Sequence, residues 1–281
     1  MKRFLSKNNT TEMLQFPGLG GDCNISHFVT TRHGGVSKGA YASMNPGCYS
    51  GDEPDAVRQN RERICEALNM PIESLFAPYQ VHGSVIRMLD EAFINESAEQ
   101  QAVALHGVDA LITDIPGVCV AVSTADCVPV LLYAPDQRVV AAIHAGWRGT
   151  VRQIVAQTVA CMVECYACNP ACMLAGIGPS ISQEAFEVGE EVADAFRQLA
   201  RNMNVDEQQL ISLNLFTGKA HIDLWETNRL QLLANGLKPE NIEVSAICTY
   251  TQCADFFSAR RLGVQSGRVM SGIRINEEKG L

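Results

Sequence analysis

The run CVPVLLYAPDQRVVAAIH, Cys127 to His144, constrains this chain more than any other stretch. It is almost entirely apolar, broken only around Pro135-Asp136-Gln137, and so reads as two strands joined by a turn. A hairpin that turns on Pro135-Asp136 makes Cys127 and His144 cross-strand partners, with Cβ atoms about 4.5–5.5 Å apart. A thiolate at about 2.3 Å and an imidazole nitrogen at about 2.0 Å then reach one cation. A turn centred one residue later separates the two along the strand. Spacing therefore leaves two readings open: a metal-holding hairpin, or a core hairpin that ends in these residues.

Composition narrows the classes of function. A chain of 281 residues, 47% hydrophobic, buries a substantial core within one or two domains. We read one domain over residues 1–281, with 1–10 and 276–281 as flexible tails. A formal charge of −9 repels phosphate-rich surfaces, so nucleic acid and anionic membrane are not expected partners. No apolar run approaches the length of a membrane span, and none follows the basic N-terminal residues as an export signal would. Eleven cysteines, an odd number without such a signal, are expected as reduced thiols in a cytoplasmic, monomeric protein.

Further along the chain, SHFVTTRHGGVSKGAYASMNPGCYSGD reads as a short strand and a long glycine-rich loop, functional or mobile. Helical spacing follows over 55–68, and YQVHGSVIRML alternates as a strand. GVDALITDIPGVCVAVSTADC supplies two strands around Ile115-Pro116-Gly117. After the hairpin, an amphipathic helix opens at Gly-Trp-Arg-Gly and runs through GTVRQIVAQTVACMVECYAC. CMLAGIGPSI and IEVSAICTYT read as later strands, and 190–202 and 223–235 as helices. The expected class is α+β, a layered sandwich of helices around mixed sheets.

A third metal donor has to come from five other histidines, and His82 is the best placed, ending the strand in APYQVHG beside a glycine. A catalytic zinc keeps one position open; a structural zinc closes it, here with Cys248 as the candidate. Cys161, Cys165, Cys168 and Cys172 are loosely spaced like an iron–sulfur run, but the first three share a helix face and read better as buried packing.

TADCVPVLL and HAGWRG, preceded by TRHGGVSKG and QVHG and followed by GIGPSI, FEVG, CTY and FFSARR, closely resemble the bacterial YfiH family. That family goes under the names laccase-domain or multicopper polyphenol oxidase, peptidoglycan editing factor, and purine nucleoside phosphorylase with adenosine deaminase activity. The resemblance spans roughly Phe28 to Ser271. It implies one domain of helices around mixed sheets, with a zinc held by His82, Cys127 and His144. It also implies substrate hydrogen bonds from Asn45 and Gln80. The chain departs from the usual family pattern at Ala259 and Leu262.

The oxidase name fits the composition poorly, because a multicopper centre needs many imidazoles, commonly as His-x-His pairs. This chain has six histidines and no such pair. Copper remains the competing occupant of a nitrogen and sulfur site.

The expected reaction is phosphorolysis of adenosine- or inosine-type nucleosides to free base and ribose 1-phosphate, with metal-assisted deamination of adenosine as a second reaction. Arg148, at the start of the helix after His144, is the candidate phosphate ligand. Arg32, Arg260 and Arg261 are candidates for further bidentate contacts, and Gly178 for a backbone N–H in the same pocket. Asp126 is the nearest carboxylate to act as proton carrier, provided the backbone turns there. Two alternatives use the same residues: a cysteine amide hydrolase acting on a cell-wall precursor through Cys127 and His144, and a structural zinc protein without turnover.

Overall fold

The computed structural model describes residues 1–5, 11–21 and 24–277. Two six-stranded sheets face each other, with a small three-stranded sheet beside them. The first runs, in spatial order, Lys2–Leu5, Glu12–Gln15, Ile25–Thr30, Val269–Ile275, Cys119–Thr124 and Leu75–Phe76. The second runs Ile242–Val244, Leu174–Ile177, Val128–Ala134, Val139–Ala145, Ala110–Thr113 and Ile86–Met88. Both mix parallel and antiparallel pairs.

Period-2 alternation produces the layers. Along Cys119–Thr124, Val120 and Val122 face the space between the sheets, whereas Cys119 and Ala121 face an outer core with Ile64 and Cys65 of the Pro54–Ala67 helix. Along Val128–Ala134, Leu131 and Tyr133 point between the sheets, while Val130 and Leu132 pack on Val155 and Met162 of the Ile154–Tyr166 helix and on Phe196 of the Glu190–Met203 helix. The order is therefore helix, sheet, sheet, helices, the layered α+β arrangement that the sequence implies. The hairpin is apolar on both alternations because both its faces are covered. Each large aliphatic side chain so buried contributes about 1.5–3 kcal/mol.

Several local expectations change. Val128 pairs with Ala145 and Pro129 with His144, so the hairpin turns one residue later than Pro135-Asp136. Cys127 and His144 are diagonal rather than directly opposed. The helix after the hairpin is two helices, Trp147–Val151 and Ile154–Tyr166, because Gln153 adopts a left-handed conformation (φ 60°) between them. It ends before Cys168, which is buried; Cys165 on it is exposed. In YQVHGSVIRML only Ile86–Met88 is a strand, and His82 is left-handed (φ 61°). The strand in IEVSAICTYT stops at Val244, before left-handed Ala246. Residues 2–5, expected in a free tail, pair with Glu12–Gln15. The remainder of that tail, 6–10, and most of the C-terminal one, 278–281, lie outside the described residues.

Candidate active site

His144 lies on the alternation of Val140 and Ala142, which points between the two sheets. Pro129, its cross-strand partner, shares that direction, and so does Cys127 two residues earlier. The two-residue slip in register thus preserves the face on which thiol and imidazole meet. His82 arrives from the 77–83 loop, and ring centroids of His82 and His144 are 4.8 Å apart, edge to face. One donor atom from each of His82, Cys127 and His144 falls within 4.8 Å of the other two.

Gly146 makes this approach possible. A Cβ there would sit 3.1 Å from both Cys127 Sγ and His82 Cδ2. Its backbone (φ −68°, ψ 168°) suits any residue, so space rather than conformation requires glycine.

Asp109 organises the trio, and the sequence reading missed it. Its carboxylate is fully buried and accepts from His144 Nδ1 (2.7 Å), the N–H of His82 (3.0 Å) and the N–H of Gly83 (2.7 Å). The His144 N–H donates in turn to the Asp109 carbonyl (2.8 Å). One carboxylate thereby orients one ring and fixes the backbone that carries the other. With Nδ1 spent on Asp109, Nε2 of His144 is the nitrogen left for Cys127 or a metal. The legible signal was an Asp heading the apolar Ala110–Thr113 run, where a carboxylate survives burial only if paired.

Charges couple accordingly. Burial opposes ionisation of Cys127, but the His144 charge and hydrogen bonds from His144 and His82 outweigh it and hold the thiol well below its ordinary range. Burial likewise opposes protonation of His144, and Cys127 and Asp109 reverse that, raising it. Burial acts to raise Asp109, yet its bonds to His144 and to backbone N–H groups keep it below the usual carboxylate range.

The trio opens onto a cavity of about 320 Å³. Gln80, Tyr49, Tyr79, Arg61 and Arg268 line it together with Cys127, His82 and His144, and no described lining residue is acidic. Tyr79 stacks on His106 at 4.6 Å and 6°, and Tyr49 meets Tyr79 edge-on at 4.5 Å. The glycine-rich loop supplies Gly47, Cys48, Tyr49 and Ser50 to the wall.

Most other expected contacts point elsewhere. The Asn45 carboxamide is buried and engaged: it donates to Ser50 and Asp52 and accepts from the N–H groups of Gly47 and Arg268. Gln80 lines the cavity, but its amide locks both backbone groups of Ser123 at 2.8 Å. Arg32 donates to the carbonyls of Ala42 and Cys253 and lies over Phe257. Exposed Arg148 stacks on Trp147 and does not line the cavity. Arg260 reaches the Glu187 carbonyl and Arg261 the Tyr250 carbonyl; of that short helix, Ala259 faces the cavity. Gly178 gives its N–H to the Pro129 carbonyl (2.9 Å), and a Cβ there would meet Pro129 Cγ at 2.8 Å. Its role is close packing against Pro129. The backbone does turn at Asp126 (φ 82°), but its carboxylate binds Thr249 and the N–H of Arg260.

Cys248 accepts from the Ser182 N–H and is not grouped with the trio, so it does not close a fourth position. Cys161 and Cys165 lie 3.9 Å apart, and the four-cysteine run forms no metal-binding group among the described residues.

The site and fold define a family. Residues 26–276 match the model for multi-copper polyphenol oxidoreductase laccase, and the chain belongs to that family. Curated relatives carry other names. A purine nucleoside phosphorylase of Bacteroides thetaiotaomicron is 47% identical over 97% of this chain and 100% of its own length. An adenosine deaminase, RL5, from an unknown prokaryotic organism is 40% identical over 89% of this chain and 93% of its own. The crystal structure of YlmD from Geobacillus stearothermophilus superposes with a TM-score of 0.86 at 34% identity, covering 98% of this chain and 99% of that one.

Proposed function

We propose that this chain is a zinc-dependent purine nucleoside phosphorylase in which His82, Cys127 and His144 hold the metal. One observation carries the reading: two imidazoles and a thiol converge in an aromatic-walled cavity, within a family whose curated relatives include purine nucleoside phosphorylases. The donor set suits zinc, being nitrogen and sulfur with a buried carboxylate behind one imidazole. Bound there, zinc supplies Lewis acidity beside the reacting nucleoside. The protein contributes position: Asp109 orients the ligands, Gln80 pins the Ser123 wall, and the Tyr49–Tyr79 pair offers an aromatic face to a purine.

In the reaction a phosphate oxygen forms a bond to C1′ while the C1′–N9 bond breaks. Its electron pair leaves with the purine, and the proton of hydrogen phosphate ends on the base. Deamination of adenosine stands second, because such hydrolysis uses a carboxylate to move protons. Among the described residues the cavity lining offers none, and Asp109 and Asp126 are already engaged.

A second reading has one observation in its favour. Cys127, His144 and Asp109 form a nucleophile–base–orienter series, as an amide hydrolase requires. The second imidazole on the same thiol, His82, favours the metal, since a nucleophile needs only one base. We further read the chain as a cytoplasmic monomer meeting nucleoside and phosphate. The described cysteines are free thiols, which suits a reducing compartment, and no described helix is long and apolar enough to cross a membrane.

The test is incubation of metal-defined protein with adenosine or inosine, with and without phosphate, and product identification by chromatography. Phosphate-dependent release of free base supports phosphorolysis. Phosphate-independent inosine from adenosine makes deamination the principal activity. Metal-free protein that cleaves a muramyl amide, and loses this in Cys127→Ala, replaces both with the hydrolase.

A further inference from the structure

We infer that Arg61 and Arg268 form the phosphate subsite of this cavity. The inference rests on the phosphorolysis reading and deepens it. In a chain with 31 acidic residues and a net charge of −9, a cavity with two arginines and, among the described residues, no carboxylate in its wall is a local reversal of charge. Both guanidinium groups are held by neutral partners. Arg61, on the Pro54–Ala67 helix, donates to the Leu75 carbonyl (2.9 Å) and to Cys48 Sγ (2.8 Å). Arg268 donates to the carbonyls of Ser266 (2.6 Å), Gly267 (3.0 Å) and Val264 (2.9 Å). Among the described residues neither has a carboxylate within ion-pair distance, in contrast to Arg3, Arg58, Arg197 and Arg229.

Carbonyls and the Cys48 sulfur orient the two cations without neutralising them, at a site partly withdrawn from water where Cys127 and Asp126 act on Arg268 without an ion pair or hydrogen bond to it, and an anionic reactant is what completes such a pair. Donors also remain: a guanidinium has five N–H groups, and the bonds above use two on Arg61 and no more than three on Arg268. A nucleoside is neutral, so of the two co-substrates only phosphate needs this charge. The assignment replaces Arg148, whose side chain lies over Trp147 outside the cavity wall.

The decisive experiment compares Arg61→Gln, Arg268→Gln and Arg148→Gln in zinc-loaded protein, with Arg268→Lys as a variant that keeps charge if the glutamine change unsettles the loop. Melting temperature and zinc content verify each. Losing a charged hydrogen bond to phosphate raises the KM for phosphate about 10- to 100-fold. We expect that rise for Arg61→Gln and Arg268→Gln, with the KM for inosine within about threefold of wild type and Arg148→Gln unchanged. Arg268→Lys should fall between. Folded, zinc-replete Arg61 and Arg268 variants with unaltered KM for phosphate overturn the assignment, as does a rise confined to Arg148→Gln. If wild-type protein releases no base, the phosphorolysis reading fails, and the subsite is judged by calorimetric titration with inorganic phosphate. Binding lost in both variants upholds an anion site; no binding by wild type overturns it.

Discussion

Replacing Asp109 with Asn tests the arrangement at its centre. The native carboxylate has two acceptor oxygens and takes hydrogen bonds from His144 Nδ1, His82 N–H and Gly83 N–H at 2.7–3.0 Å. An amide keeps one oxygen and turns an NH2 toward the donors the other served. Whichever way it lies, at least one buried N–H is left facing a donor, at about 1–3 kcal/mol. If the surviving oxygen stays with the Gly83 N–H, the NH2 group faces His144 Nδ1 and the His82 N–H, and His144 loses its orienter and its preferred tautomer. Loss of such an outer partner lowers metal affinity about 10- to 100-fold, equivalent to about 1.4–2.8 kcal/mol. We therefore expect Asp109→Asn to bind zinc at least tenfold more weakly in a chelator competition, and to melt several degrees lower when metal-free. Asp109→Ala should be worse on both counts. An Asp109→Asn protein with wild-type zinc affinity and melting temperature would show that the carboxylate does not organise the ligands.

Other outcomes follow from the same geometry. Gly146→Ala places a methyl 3.1 Å from Cys127 Sγ and His82 Cδ2, so it should cost about 1–3 kcal/mol and reduce zinc occupancy, read by denaturant titration and elemental analysis. Cys127→Ser should abolish stoichiometric zinc along with nucleoside turnover; retention of one zinc per chain counts against the trio. Away from the site, His27 is buried, stacks on Phe16 and accepts its N–H at 2.8 Å; burial, chiefly, lowers its pKa to about 4. Because the unfolded chain takes up the proton first, stability should decline as pH falls from 6.5 to about 4, by at most about 3 kcal/mol. His27→Gln should flatten that part of the pH–stability curve. Asp126→Asn, which tolerates the left-handed backbone (φ 82°) but turns an NH2 toward Thr249 or the N–H of Arg260, should leave zinc content unchanged but raise the KM for nucleoside as the Ala259 wall loosens.

The residues that hold these features were unequally visible along the chain. Alternation in VAVST and VPVLLYA determined which side chains face which core, and the hairpin placed Cys127 and His144 on one face. That inference survived a turn one residue later, because a two-residue slip in pairing preserves the face. The identity of the direct partners did not survive it. Long-range register lies beyond local periodicity, so the pairing that brings Asp109 against His144 was not legible. Nor was the meeting of Arg61, on a helix with an ordinary solvated pattern, with Arg268 just before the last strand. The arginines that looked like phosphate ligands stood in loops and at helix starts, where a single chain offers many carbonyl and aromatic partners.

By itself, then, the sequence determined the layered class, the thiol and imidazoles, and the family. Tertiary structure alone decided which carboxylate stands behind them and which cations remain unpaired. The physical reason is that the chemistry of a donor atom is carried by its own residue, whereas its orientation and charge balance come from neighbours brought together only when distant segments pack.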